Sequence, residues 1–241
     1  MRGFCLEVTG DYACFTRPEL KVERVSYDVP TPSAARAIFD AILWKPAIFW
    51  RVTKIEVLAP IRFISVRRNE VGKVASNGST GIFIEDERQQ RAGLFLRDVK
   101  YRFHAEFQFI PPNERSKTTN HAPEWLYDLE EVELLEQARV RPDEKEAKYA
   151  AMFERRAKKG QYFHHPYLGC REFPADFRLV PDVDAEPAII PKELEGERNL
   201  GWMLYDMDFS DRKNPTPLFY CPVMKNGIIE VPDRNSEEVK R

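Results

Sequence analysis

Alternation of apolar and polar residues predicts two β-strands in the first 180 residues, and residue composition predicts two more. In residues 4–8 every second side chain is strongly apolar, the period expected of a strand with one buried face. The same period is clearest over residues 99–109, where aromatic rings alternate with charged and polar groups. β-Branched and aromatic residues predict the other two strands at 48–58 and 170–180.

A helical period predicts two helices. Thr31 is suited to cap the first, in which apolar residues recur at helical spacing over residues 34–42. The second spans residues 148–159, with cations in its last turn and Gly160 just past its end. A capping box that begins at Asp143 is expected to precede it.

The order of these elements predicts the fold class. Strand, helix, strand, strand, helix, strand is the order of a ferredoxin-like (RRM-like) α+β domain, here over residues 1–180. A polar and acidic insertion near 111–142 is expected to be an added surface element. Residues 181–241 hold two strand-like stretches, 202–209 and 218–223, and predict a small β-rich C-terminal domain.

Composition indicates a globular protein. No window of the chain is a long uncharged apolar run, and Glu7 interrupts the N-terminal stretch that a signal peptide would need. We therefore expect a cytoplasmic protein without a membrane partner. The four cysteines are scattered and lack zinc-ligand spacing, so we expect reduced thiols, no metal and no other cofactor.

Charge is segregated along the chain. The net charge is −2, but residues 1–110 carry 17 Lys and Arg against 13 Asp and Glu, so the remainder is acidic. A basic first half fits a groove for RNA. Ordinary surface charge with a chance asymmetry accounts for the same numbers, so charge supports an RNA-binding hypothesis without establishing it.

Cations and aromatic rings are interleaved in two parts of the first half. Single-stranded RNA is held by such combinations, in which cations pair with phosphates and rings stack on bases. The first part comprises Tyr12, Phe15, Arg17, Lys21, Arg24 and Tyr27. The second comprises Arg67, Arg68, Arg88 and Arg91, on both sides of a polar loop at 76–81. In the alternative reading the rings belong to the core. Trp44-Lys45-Pro46 is expected to stop a helix with a buried indole.

These segments carry a resemblance to a known family. The sequence resembles the Cas5 family of CRISPR-associated proteins, specifically its Cas5d branch, over nearly the whole chain. The motifs that carry the resemblance are residues 10–27, 30–36, 44–46, 67–71, 88–91, 158–161 and 167–175.

The resemblance implies an endoribonuclease of a type I-C CRISPR system. Such a protein recognises the repeat hairpin of precursor crRNA, cuts without metal at the 3′ base of the hairpin, and keeps the resulting 5′ handle. It implies Cas7 and Cas8 subunits as further partners, and some relatives also bind duplex DNA. A small β-rich C-terminal domain is part of the same resemblance.

Metal-free RNA cleavage needs a base, an acid and a cation around one phosphate. In Cas5d relatives these are commonly a lysine-histidine pair at the start of the second helix and a tyrosine or histidine before Trp-Lys-Pro. Here the resemblance assigns the lysine to Lys148, while Tyr149 replaces the histidine and Leu43 precedes Trp44.

Two hypotheses follow for the reaction. In the first, Lys148 supplies charge while Tyr149, or a displaced base at His164 or His165, handles protons. In the second, the site is lost and the chain is a non-catalytic subunit that binds the guide handle. Tyr149 is also suited to pack with its helix neighbours Met152 and Phe153.

Overall fold

The computed structural model describes residues 3–74, 81–111, 145–211 and 213–241. Its helices are α1 (Pro32–Ile42), α2 (Ile84–Glu87) and α3 (Glu146–Lys158). Its strands are β1 (Gly3–Ala13), β2 (Ile48–Val57), β3 (Phe63–Val71), β4 (Arg88–Phe109), β5 (Asp176–Val180), β6 (Glu197–Asn199), β7 (Met203–Asp208), β8 (Thr216–Tyr220), β9 (Val223–Lys225) and β10 (Ile228–Glu230). Within these ranges no helix has the length and apolar character needed to cross a bilayer.

One antiparallel sheet, whose strands are not in sequence order, forms the centre of the fold. Its strands lie in the order β5-β1-β4-β2-β10-β9-β6, and each neighbouring pair is antiparallel. The four strands predicted in the first 180 residues are found as β5, β1, the second half of β4, and β2. The strands β7 and β8 form a separate two-stranded sheet.

A hairpin of β3 and the first part of β4 was not predicted as strands. Nine consecutive residue pairs join it, from Phe63 opposite Leu96 to Val71 opposite Arg88. Its apolar side chains do not alternate regularly with polar ones, so the hydrophobic pattern gives no strand signal and the strands are recognised from backbone pairing. The loop prediction at 76–80, the insertion from residue 112 onward and the capping box at Asp143 lie outside the described residues.

The C-terminal strands extend the sheet of the first 180 residues. Ile229 of β10 pairs with Ile55 of β2, and β9 and β6 follow beyond it. Residues on both sides of position 180 therefore share one set of backbone hydrogen bonds. The division into two domains at that position stays a prediction.

The core lies between the sheet and the two long helices. Phe153 of α3 packs against Trp50 of β2 and Phe39 of α1, with ring centroids 4.6 Å and 5.7 Å away. The hydroxyl of Thr31 accepts from the backbone N–H of Ala34 at 3.2 Å, which confirms it as the cap of α1. The stacked and tilted ring contacts of Phe153 bury large apolar areas and fix the helices on one face of the sheet.

The indole expected to be buried after α1 is instead exposed. Helix α1 ends at Ile42 as predicted, but Trp44 is 44% exposed. Trp50 is the buried indole, and its Nε1 donates to the carbonyl oxygen of Leu43 at 3.0 Å. That bond satisfies a carbonyl at the end of the helix from inside the core, which leaves Trp44 to point outward.

The second face of β1 is also buried, contrary to the expectation of one buried face. Glu7 is almost inaccessible because Arg102 and Arg178, on the flanking strands, contact its carboxylate at 3.1 Å and 2.9 Å. Glu186, from the turn after β5, contacts both arginines, of which Arg102 is buried and Arg178 is half-exposed. The polar residues at alternate positions of β1 thus face a covered ion-pair layer.

Glu56 adds a titratable member to this layer. Its carboxylate lies 3.1 Å from Nε2 of His104 and 2.7 Å from Nζ of Lys54. Burial alone would raise the pKa of Glu56, but hydrogen bonds from His104 and Lys54 outweigh burial and lower the pKa to about 2.

We predict that Glu56→Gln reduces the acid sensitivity of the fold. A lowered carboxyl pKa stabilises the protein above pH 4.5, and this contribution, at most about 3 kcal/mol, is lost as the pH falls towards 2. Urea unfolding between pH 7 and pH 2 should therefore show a shallower pH dependence for Glu56→Gln than for wild type. Glu230→Gln, at an exposed carboxylate on β10, is the control. Equal slopes for wild type and Glu56→Gln would contradict the prediction.

Candidate nucleic-acid interface

Three of the predicted RNA-binding arginines meet at one carboxylate. Glu70 of β3 lies 3.3 Å from Arg24, 3.0 Å from Arg68 and 3.7 Å from Arg91. Glu172 also pairs with Arg24, at 2.9 Å, and with Arg68. Three guanidinium groups and two carboxylates leave this cluster with one net positive charge.

Aromatic rings continue the arginine cluster across the sheet. The guanidinium carbon of Arg68 lies 4.9 Å from the ring centroid of Phe95, which is 5.1 Å from Phe173. Phe173 in turn lies 6.1 Å from Tyr12, which is 42% exposed. Cations beside an accessible ring are the groups that pair with phosphates and stack on bases. We call this set the arginine–aromatic surface: Tyr12, Arg24, Arg68, Arg91, Phe95 and Phe173, with Glu70 and Glu172.

Strand register decides which arginines join this surface. Arg68 lies directly opposite Arg91, so both side chains project to the same face of the hairpin. Arg67 is one residue from Arg68 on β3, and Arg88 is three residues from Arg91 on β4. Both therefore project to the other face of the hairpin, where both are exposed. The hairpin therefore divides the four arginines into two pairs.

Arg24 reaches the surface from a strained turn. Its φ is +53°, a left-handed value that costs a non-glycine residue about 1–2 kcal/mol. Its carbonyl accepts from the backbone N–H of Leu94, and the N–H of Ser26 donates to the carbonyl of Leu94 at 3.0 Å. These bonds to β4 hold the turn in place, so the side chain of Arg24 is directed onto Glu70 and Glu172.

The other predicted RNA-binding residues are placed differently. Phe15 is 3% exposed and packs edge-on against Tyr101, so its ring is not accessible for stacking on a base. Arg17 lies over the buried ring of Tyr27 at 4.6 Å. Lys21 is exposed just after a short 3₁₀ turn. The rings of Phe15 and Tyr27 thus belong to the core, whereas the ring of Tyr12 is exposed.

His165 lies in a cavity beside the arginine–aromatic surface. The cavity has a volume of about 540 Å³, and its lining includes Tyr12, Glu172 and Phe173. Nδ1 of His165 is 2.8 Å from the carbonyl oxygen of Pro166. His164 is exposed and is not among the residues that line this cavity.

Lys148 and Tyr149 lie at the opposite end of the sheet. Tyr149 is 8% exposed, and its ring centroid is 6.0 Å from that of Phe109 at the end of β4. At the other end, Tyr12 of β1 pairs with Arg97 of β4. Arg97 precedes Phe109 by twelve residues, which corresponds to roughly 40 Å at about 3.3 Å per residue. His165 shares the cavity with Tyr12 and is therefore separated from Lys148 and Tyr149 along the sheet. His164 follows Phe163, whose backbone N–H donates to the carbonyl of Ala41 near the end of α1 at 2.7 Å. The catalytic role of these four residues stays a prediction.

Comparisons with known proteins agree with this architecture. The family model described as CRISPR-associated protein Cas5, in its Cas5d form, matches residues 3–232. The chain belongs to the Cas5d family. A pre-crRNA endoribonuclease Cas5d of Mannheimia succiniciproducens is 47% identical, over 98% of this chain and 97% of its own. The Cas5d endoribonuclease of Thermus thermophilus is 38% identical, over 98% and 94%.

Solved structures share the fold of this Cas5d-family chain. A CRISPR-associated protein superposes with a TM-score of 0.65 at 24% identity, over 100% of this chain and 97% of the other. A chain of a CRISPR RNA-guided surveillance complex superposes with a TM-score of 0.54 at 15% identity, over 96% and 92%.

The loop that carries Glu172 and Phe173 in this Cas5d-family chain depends on Gly169. The backbone N–H of Cys14 donates to the carbonyl of Leu168 at 3.0 Å, which brings the loop against β1. Gly169 has φ of +83°, and a Cβ there would lie 2.1 Å from the carbonyl oxygen of Cys14. The adjacent thiols of Cys14 and Cys170 are free, and their hydrogen bond lowers the pKa of Cys170 to about 6. The sequence pattern alone gave no signal for this contact.

We predict that Gly169→Ala destabilises the protein more than Gly160→Ala. Both glycines have positive φ, which costs an alanine about 1–2 kcal/mol, but a Cβ at Gly160 meets nothing within 4 Å. The additional clash with Cys14 should roughly double the loss at Gly169. Thermal and urea unfolding of the two variants measure the difference, and an equal loss would contradict the close approach.

Proposed function

We propose that this protein is a metal-independent endoribonuclease that cuts the repeats of precursor crRNA and retains the 5′ handle of its product. The observation that carries the proposal is the 47% identity, over nearly the whole chain, to a protein named as a pre-crRNA endoribonuclease. The protein then acts in the cytoplasm as a subunit of a type I-C interference complex, with Cas7 and Cas8 subunits as neighbours.

The arginine–aromatic surface is the proposed binding site for the repeat RNA. Arg68 and Arg91 are held by Glu70, so an incoming phosphate exchanges a carboxylate partner for a phosphate partner. The exposed ring of Tyr12 offers a stacking surface for an unpaired base. Lys21, exposed at the near turn, extends the positive region.

Lys148 is the proposed cation of the cleavage step. The ribose 2′-hydroxyl attacks the adjacent phosphate, the 5′-oxygen of the next nucleotide leaves, and the products are a 2′,3′-cyclic phosphate and a 5′-hydroxyl. Negative charge grows on the phosphate oxygens during this step, and an ammonium group stabilises it. The helix start that carries Lys148 is the position that the Cas5d resemblance assigns to the reaction.

A second candidate function is binding of the guide handle without cleavage. Two observations favour it: the ring of Tyr149 is buried against Phe109, and Leu43 is completely buried. Neither residue then exchanges a proton with an RNA hydroxyl. Under this alternative the wild-type protein binds its repeat RNA tightly and leaves it intact.

The fold supports a further assignment to the ferredoxin-like, RRM-like class. We propose it because β5-β1-β4-β2 is an antiparallel order, with α1 connecting β1 to β2 and α3 preceding β5. The hairpin of β3 and early β4 is then an addition between the second and third strands of that unit.

We predict that Lys148→Ala lowers single-turnover cleavage of the organism's own repeat RNA, measured in EDTA, by at least about 100-fold. Lys159→Ala, which removes an exposed cation beyond the other end of α3, is the matched control and should cut normally. His165→Ala should also cut normally because His165 lies in the cavity beside Tyr12, away from Lys148 along the sheet. Loss of cutting in His165→Ala but not in Lys148→Ala would contradict this assignment and indicate that cleavage takes place at the cavity beside Tyr12.

We predict that Tyr12→Ala and Arg91→Ala weaken binding of repeat RNA. Loss of one stacked base should cost about 5- to 150-fold at Tyr12. Loss of one phosphate contact at Arg91 should reduce the slope of log K against log salt by about 0.7. Arg88→Ala removes the same charge from the opposite face of the hairpin and should change neither quantity.

The same titrations distinguish RNA from DNA as the partner. Duplex DNA of the repeat sequence is compared with repeat RNA at equal salt, because affinities at different salt are not comparable. Weaker binding of the duplex supports the proposed function. Equal affinity, together with equal losses in Arg91→Ala and Arg88→Ala, would contradict a dedicated RNA surface on one face.

A further inference from the structure

A cavity of about 410 Å³ lies beside the part of β2 that precedes its pairing with β10. It is bounded by the first turns of α1, by β2, by the end of β4 and by the chain that follows β10. We call it the β2-edge pocket, with Arg36, Phe49, Arg51, Gln108, Asp206 and Asp233 among its lining residues. None of these residues belongs to the arginine–aromatic surface.

The pocket combines a flat ring with an unsatisfied donor. Phe49 is 37% exposed, and the guanidinium carbon of Arg36 lies 5.4 Å from its ring centroid. Nη2 of Arg36 donates to Asp206 at 2.9 Å, whereas its buried Nε has no hydrogen-bond partner among the described residues. A buried donor without an acceptor is costly, and a ligand that supplies an acceptor removes that cost once the side chain of Arg36 shifts to expose its Nε.

The remaining charges are balanced. Arg51 donates to Glu106 at 2.9 Å and to Asp233 at 2.8 Å, and Arg234 lies 3.8 Å from Asp206. Three arginines therefore face three carboxylates. A phosphate group presents only acceptors and negative charge, so the carboxylates disfavour it. A neutral heterocycle with donors and acceptors on its edge and a π face suits the ring, the arginines and the carboxylates together.

We propose that the β2-edge pocket binds one unpaired nucleobase of the guide RNA, stacked on Phe49, next to the bond that is cut. The pocket and Lys148 lie at the same end of β4: Gln108 lines the pocket, and the next residue, Phe109, projects to the opposite face of the strand and packs against Tyr149 beside Lys148. The inference rests on the proposed function. It adds a site that fixes which phosphate reaches Lys148, at the opposite end of β4 from the arginine–aromatic surface.

A 2-aminopurine scan of the repeat RNA tests the pocket with the full-length protein. The fluorescent base replaces each unpaired nucleotide beside the hairpin in turn, and stacking on a ring quenches it. We expect one position at which wild-type protein quenches the base and Phe49→Leu does not. Phe209→Leu, at another exposed phenyl ring, is the matched control and should leave the quenching unchanged.

An abasic nucleotide at that position completes the cycle. It should weaken RNA binding to wild-type protein about 5- to 150-fold, the range for one stacked base, and should cause no further loss in Phe49→Leu. If Phe49→Leu does not fold, the scan is repeated with Tyr12→Ala. A quenched position that persists in Tyr12→Ala supports the pocket, whereas loss of every quenched position in that variant assigns the stacked base to the arginine–aromatic surface and overturns the pocket.

The outcomes separate this inference from the proposed function. In one outcome the protein binds and cuts repeat RNA, but no nucleotide position shows both a loss of quenching in Phe49→Leu and weaker binding when its base is removed. That outcome would overturn the pocket and leave the endoribonuclease function intact. Absence of any repeat binding by wild-type protein would reject the proposed function, and this inference with it.

Discussion

The backbone pairing of β4 is the constraint on which the rest of the structure depends. This single strand of 22 residues pairs with β3 over its first part and with β1 and β2 over the remainder. The arginine–aromatic surface lies near its start, whereas Lys148, Tyr149 and the β2-edge pocket lie near its end. A continuous strand is stiff, so the separation of the two regions is set by the strand's length and not by flexible loops.

Much of the sheet could be predicted from the sequence, because residues that face a core must alternate with residues that do not. That signal located β1 and the second half of β4, β-branched and aromatic content located β2, and Thr31 marked the start of α1. Alternation failed for β3, because its apolar residues are divided between both faces: Phe63 and Val71 on one, Ile64 and Val66 on the other. It also misassigned Glu7, since a carboxylate reads as solvent-exposed unless its partners Arg102 and Arg178 are known, and these are 95 and 171 residues away.

The candidate site was predictable in residue type but not in arrangement. Arginines near aromatic rings indicated an RNA surface, yet only the register of β3 against β4 separates Arg68 and Arg91 from Arg67 and Arg88. Local spacing could not distinguish the exposed ring of Tyr12 from the buried ring of Phe15 three residues later. Likewise, the nearness of Lys148 and His165 in sequence concealed their separation, since a helix and the length of the sheet lie between them.

The pairing of Arg24, Arg68 and Arg91 with Glu70 and Glu172 makes ligand binding a competition. A passing polyanion gains little at this surface, because each new contact replaces an existing ion pair. Only a strand that engages several guanidinium groups and a ring at once recovers the loss. The carboxylates thus act as built-in competitors, which suits the proposed selection of precursor-crRNA repeats among abundant cellular nucleic acids.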